Sequence, residues 1–104
     1  MKNFAGFSRL GVSPDRMADF CRNHHIRKLA LFGSVLRDDF GPESDVDVLV
    51  EFEDGHPVGL IGLAAMELEL AEVLGRRADL HTAHDLSRHF RDEVLRTAQV
   101  QYAA

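Results

Sequence analysis

The chain has 104 residues, with 12 basic and 17 acidic side chains, a formal net charge of −5 and 45% apolar content. This is the composition of one globular domain built on a single hydrophobic core, and the charge argues against broad electrostatic binding to nucleic acid or to an anionic membrane. No apolar run nears the roughly 20 residues that span a bilayer, Met1-Lys2-Asn3-Phe4 lacks the apolar core of a secretory signal, and the lone Cys21 suits a reducing compartment, so a cytoplasmic single domain over 1–104 is expected.

Residues 1–12 offer Phe4, Phe7 and Leu10 as apolar positions, while Gly6 and Gly11 break any long helix. With Val100 and Tyr102 at the other end, these residues are core by default and contact surface for a partner otherwise. Ser13-Pro14-Asp15 is a helix start: an N-cap serine, a proline at the first helical position and an acid at the positive end of the dipole. The helix from Pro14 to about His24 packs through Met17, Ala18, Phe20 and Cys21. A strand over 27–32 ends at Gly33-Ser34, followed by a short helix over 34–38 and a polar loop over 39–44 broken by Gly41-Pro42.

A second strand runs from Asp45 to about Phe52, and the chain turns at Glu53-Asp54-Gly55-His56-Pro57. Helical periodicity over 59–74 runs through Leu60, Leu63, Ala64, Leu68, Ala71 and Leu74, with Gly75 as C-cap. The glutamates of this helix, Glu67, Glu69 and Glu72, read as its solvated face. A third strand over 76–81 puts Arg77, Asp79 and His81 on one face, and a last helix from about Ser87 to Ala98 packs through Phe90, Val94 and Leu95. The order predicts an α+β (mixed α/β) fold, a small mixed sheet flanked by helices.

The chemistry concentrates in LFGSVLRDDFGPESDVDVLVEF, residues 31–52. In a strand, Asp45, Asp47, Leu49 and Glu51 share one face and Val46, Val48, Val50 and Phe52 the other, buried one. Carboxylates at i and i+2 stand roughly 6–7 Å apart at their backbones, and a strand sets like charges side by side when a cation lies between them. A divalent metal is the evident candidate. Gly33 permits close backbone approach to a ligand, the following helix start offers unpaired N–H groups to an anion, and Ser34 adds a hydroxyl. Taken singly, a Gly-Ser pair is usually a turn and an Asp-x-Asp usually a solvated strand edge; together, in strand–turn–helix–loop–strand context, they are far more specific. Glu51 reads as rim. The six histidines show no zinc-ligand spacing, and His24-His25 read as a surface helix end.

Gly33-Ser34, ten residues, then Asp45-x-Asp47 resembles the signature of the polymerase-β-like nucleotidyltransferases. Within that superfamily the chain after about Ser13 resembles the minimal nucleotidyltransferases, antitoxin partners of HEPN-domain toxins in type VII-like pairs. The resemblance implies a polymerase-β-like fold and transfer of AMP from ATP to a hydroxyl, a tyrosine of the HEPN toxin, within a hetero-oligomer. Asp45 and Asp47 would bridge two Mg²⁺ ions, Asp79 would complete the metal site, and Gly33 and Ser34 would hold the β- and γ-phosphates. The alternative for Asp79 is an ion pair with Arg76 or Arg77. Arg37, about one helical turn after Ser34, would reach phosphate or the acceptor, or else pair with Asp38, Asp39 or Glu43. His81 would share the face of Asp79.

Asp45-Val46-Asp47-Val48 also fits the motif of haloacid-dehalogenase-type phosphatases, but there the apolar run precedes the first aspartate, whereas here it follows. A non-catalytic antitoxin that neutralises its toxin by binding is the stronger rival, against which the intact Gly33, Ser34, Asp45, Asp47 and Asp79 speak. An enzyme modifying RNA or an antibiotic would need an acceptor domain for which 104 residues leave no room.

Overall fold

The computed structural model describes residues 4–36, 41, 44–56 and 58–103, the side chain of Phe90 apart. Two helices, α1 (Ala5–Arg9) and α2 (Pro14–Asn23), lead into β1 (Ile26–Phe32), which passes directly into a 3₁₀ helix over Gly33–Leu36. Then follow β2 (Val46–Phe52), α3 (Leu60–Leu74), β3 (Ala78–His81), α4 (Arg88–Thr97) and β4 (Gln99–Ala103). The four strands form one sheet in the order β3-β2-β1-β4. β1 pairs antiparallel with both neighbours, while β2 and β3 run parallel, joined by the crossover helix α3. The expected small mixed sheet flanked by helices is what forms.

Leu29 to Phe32 are buried without interruption because the sheet is covered on both sides. Leu29 and Leu31 join Val46, Val48, Val50 and Leu80 in the main core under α1, α2 and α3. Ala30 and Phe32 point the other way, into a smaller cluster with Leu49, Leu86 and Val94. The face of β2 that bears the aspartates is therefore acidic at its start and apolar by Leu49, where α4 closes over it. Ser13 caps α2 as expected, its Oγ accepting from the Arg16 N–H at 3.2 Å, and Gly75 ends α3 in the left-handed region at φ +70°. Among the described residues, no helix is long and apolar enough to cross a membrane.

At the two chain ends the large apolar residues are core, as the default reading has it, but the elements that carry them have no local sequence signal. Residues 4–12 form a helix and turn that pack within the chain: Phe4, Phe7 and Val12 are buried, and Phe4 stacks on Tyr102 at 6.0 Å. β4 carries no clear strand signal, because its alternation is interrupted. Leu29 pairs with Tyr102 and Ala30 with Val100, so Gln101 is the extra residue of a bulge. The bulge sends Tyr102 to the main core and Val100 to the smaller cluster, two faces that strict alternation would not separate. Gln101 is itself buried, and its Oε1 accepts from the Gly6 N–H at 2.8 Å. Gln101→Leu leaves that buried N–H without an acceptor, which costs about 1–3 kcal/mol. A thermal melt is expected to show a midpoint lowered by about 4–12 °C.

α3 turns a different face inward than the sequence pattern selects. Met66, Leu70 and Leu74 are buried, whereas Leu60, Ile61 and Leu68 are 80%, 89% and 71% exposed. The helix is apolar on nearly every side, so spacing alone does not choose the stripe; the glutamates do, as shown below. In α4, Val94 is buried as expected, but Leu95 is 49% exposed. The predicted helix over 34–38 is the 3₁₀ turn Gly33–Leu36 as far as it is described.

Candidate active site

Two strands, β2 and β3, bring the predicted acidic residues to one end of the sheet. Asp47 lies opposite Phe32 on β1 and opposite Asp79 on β3. In a parallel pair, residues in register stand on the same face about 5 Å apart, so these two carboxylates are immediate neighbours. Asp45 stands two residues before Asp47, at the mouth of β2, with its Oδ2 3.9 Å from the Arg77 guanidinium Nε. All three aspartates are half-buried. The alternative considered for Asp79, an ion pair with Arg76 or Arg77, is not the geometry observed: Arg77 approaches Asp45, and Arg76 donates to the Gly41 carbonyl at 3.1 Å.

The Gly33-Ser34 turn closes the same site. Gly33 has φ +77°, where only glycine is comfortable, and a Cβ placed there would lie 2.5 Å from Asp47 Oδ2. The backbone thus runs against the Asp47 carboxylate with no room for a side chain. Ser34 Oγ donates to the Asp45 carbonyl at 3.3 Å, which ties the turn to the start of β2. His81, in register with Leu49, puts Nε2 3.8 Å from Asp47 Oδ1 and packs edge-on against Phe32 with centroids 5.5 Å apart. Arg37 lies outside the described residues, as do Asp38, Asp39 and Glu43. Glu51 is exposed at the far end of the strand, paired with Arg27, and takes no part.

Glu67 does not lie on the solvated face of α3 that the sequence pattern predicts; it is half-buried. β3 is an edge strand whose outer N–H groups need acceptors. Glu67 turns in from α3, and its Oε2 accepts from the Leu80 N–H at 2.7 Å, one residue from Asp79. Glu69, from the next position of the helix, pairs with His24, which also packs on Phe20 at 4.8 Å. These two contacts fix the rotation of α3. No spacing rule could have shown which glutamate faces inward. Glu67→Ala removes a charge-assisted hydrogen bond worth about 1.5–3 kcal/mol. It is expected to lower the melting midpoint and to raise amide exchange at Leu80 and His81, measured by hydrogen–deuterium exchange.

Three carboxylates beside a glycine turn are an oxygen-donor set suited to a hard divalent cation. The profile of the nucleotidyltransferase domain matches residues 15–100, a span that holds Gly33, Ser34 and all three aspartates. The chain belongs to this nucleotidyltransferase family. A protein adenylyltransferase, MntA, of Thermococcus cleftensis is 35% identical over 71 residues, 68% of this chain and 70% of that protein. A candidate protein adenylyltransferase of Methanocaldococcus jannaschii is 35% identical over 75 residues, 72% of this chain and 78% of its own. Among solved structures, a candidate minimal nucleotidyltransferase is 32% identical with a TM-score of 0.68 and covers 94% of each chain. A toxin–antitoxin complex with AMP-PNP shares the fold at 20% identity, with a TM-score of 0.72 over 86% of this chain and 73% of that one. The likeness of residues 31–52 to the minimal nucleotidyltransferases therefore extends over most of the chain, and its enzyme class is nucleotidyl transfer.

Proposed function

We propose that this nucleotidyltransferase is the antitoxin of a HEPN/minimal-nucleotidyltransferase pair and transfers AMP from ATP to a hydroxyl, a tyrosine, of its HEPN-domain toxin. The observation that carries the reading is the convergence of Asp47, Asp79 and the Gly33 backbone at one point of the sheet. Asp45, Asp47 and Asp79 would hold two Mg²⁺ ions. Such ions, when bound, lower the pKa of the attacking hydroxyl and neutralise the departing pyrophosphate. Gly33 and Ser34 would receive the β- and γ-phosphates: the bare Cα lets phosphate oxygens approach the backbone, and the Ser34 hydroxyl can turn from the Asp45 carbonyl to a phosphate oxygen. The acceptor hydroxyl releases its proton to solvent as its oxygen attacks the α-phosphorus, the bond from that phosphorus to its bridging oxygen breaks, and pyrophosphate leaves. Holding donor and acceptor in line accounts for much of the acceleration, so no covalent enzyme intermediate is needed.

A protein acceptor suits the surface of α3. Leu60, Ile61 and Leu68 form an apolar stripe on the solvent side, the kind of patch that a partner protein covers. The relatives named protein adenylyltransferase and the toxin–antitoxin neighbours support the same reading. To test it, the protein is incubated with the purified HEPN toxin and ATP labelled at either the α- or the γ-phosphate. Label from the α-phosphate is expected on the toxin, and γ-label in pyrophosphate. Label on the toxin from the γ-phosphate would replace nucleotidyl by phosphoryl transfer. A stable complex without label would leave neutralisation by binding alone.

A further inference from the structure

At the end of the β1–β2 pair remote from Gly33, three potential metal ligands meet that are far apart in the chain. His25 precedes β1 and Glu53 follows β2, and the pairing of Ile26 with Phe52 sets them side by side. The Glu53 N–H donates to the His25 carbonyl at 2.8 Å, and the His56 N–H to the Glu53 carbonyl at 3.2 Å. The two imidazoles stack face to face with centroids 3.8 Å apart and planes inclined by 8°. One ligand atom from each of His25, Glu53 and His56 lies within 4.8 Å of the others. In a tetrahedral zinc site with bonds of about 2.0–2.1 Å, ligand atoms stand roughly 3.3 Å apart; stacked rings hold their in-plane lone pairs alongside one another, so coordination requires these two exposed imidazoles to unstack and turn toward a common point. All three side chains are exposed, which leaves a fourth position to water. His25 holds φ +54°, a region that non-glycine residues adopt uncommonly.

From this geometry we propose that His25, Glu53 and His56 bind a borderline divalent transition metal such as Zn²⁺, at a site separate from nucleotidyl transfer. Two imidazoles and a carboxylate select Zn²⁺, Ni²⁺ or Cu²⁺, whereas Mg²⁺ prefers the all-oxygen set of Asp45, Asp47 and Asp79. The seven residues of β1 and the turn before it separate the two sites by roughly 20–25 Å, so the cations do not compete for ligands. A bound metal clasps the turn after α2 to the loop after β2 and so stabilises the native state.

The test is a calorimetric titration of Zn²⁺ into chelator-stripped full-length protein, in millimolar Mg²⁺ to occupy the carboxylate cluster, with Co²⁺ absorption as a report on geometry. The variants are His25→Asn, since asparagine tolerates the left-handed backbone, and His56→Gln; thermal melts in chelator establish that both fold. One equivalent of Zn²⁺ is expected, bound at least about tenfold more weakly by either variant and unchanged by Asp47→Asn. Excess Zn²⁺ raises the wild-type melting midpoint by about 4 °C or more and leaves that of the variants in place. Zn²⁺ binding that survives both histidine variants, binding lost in Asp47→Asn, or no binding at tens of micromolar metal would each overturn the proposal.

Discussion

Asp47→Asn is expected to lower nucleotidyl transfer by at least about a hundredfold without unfolding the protein. Asp47 is the hub of the acidic cluster: it pairs across the sheet with Phe32 and Asp79, abuts the Gly33 backbone and faces His81 Nε2 at 3.8 Å. Asparagine keeps the shape and removes the charge that would hold the cation. Asp45 and Asp79 then lose a like-charged neighbour, so the apo protein should melt at the same temperature or slightly higher. Initial rates with labelled ATP, measured beside a thermal melt, separate the two effects. Transfer within tenfold of wild type would remove Asp47 from the chemistry.

Gly33→Ala is expected to damage both stability and turnover. At φ +77° a side chain costs about 1–2 kcal/mol, and the added Cβ would stand 2.5 Å from Asp47 Oδ2 and 3.4 Å from the Asp47 Cβ and Cγ. The carboxylate has to move, and a displacement near 1 Å at a reacting centre costs about a hundredfold in rate. The melting midpoint should fall by about 4–10 °C. Gly59→Ala is the control, because a Cβ there meets open space and its φ of −79° is ordinary; it should leave both quantities nearly unchanged. If Gly33→Ala turned over at the wild-type rate, the close approach of turn and carboxylate would have no part in catalysis.

Most of the elements could be read from the sequence because their signals are local. Ser13-Pro14-Asp15 starts α2, Gly75 ends α3, and the valines of β2 alternate into the core. The acidic cluster was legible for the same reason: strand periodicity puts Asp45 and Asp47 on one face, and only the pairing with Asp79 needed the fold. What stayed hidden depends on partners distant in sequence. β4 is disguised by the bulge at Gln101, which sends Val100 and Tyr102 to opposite faces. α1 is held by the Gly6–Gln101 hydrogen bond and the Phe4–Tyr102 stack, contacts that join the two ends of the chain. The inward face of α3 is set by Glu67 reaching the edge of β3, which nothing in an apolar helix announces. His25 and His56 show no ligand spacing because the β1–β2 ladder, and not a short motif, brings them together.

The most direct test of the central claim is the intact mass of the HEPN toxin after incubation with this protein, ATP and Mg²⁺, with Asp47→Asn run in parallel. The account predicts a toxin heavier by one or more adenylyl groups with the wild type and an unmodified toxin with the variant. A toxin that binds tightly yet keeps its mass with both proteins would contradict it, and neutralisation would then rest on the interface alone.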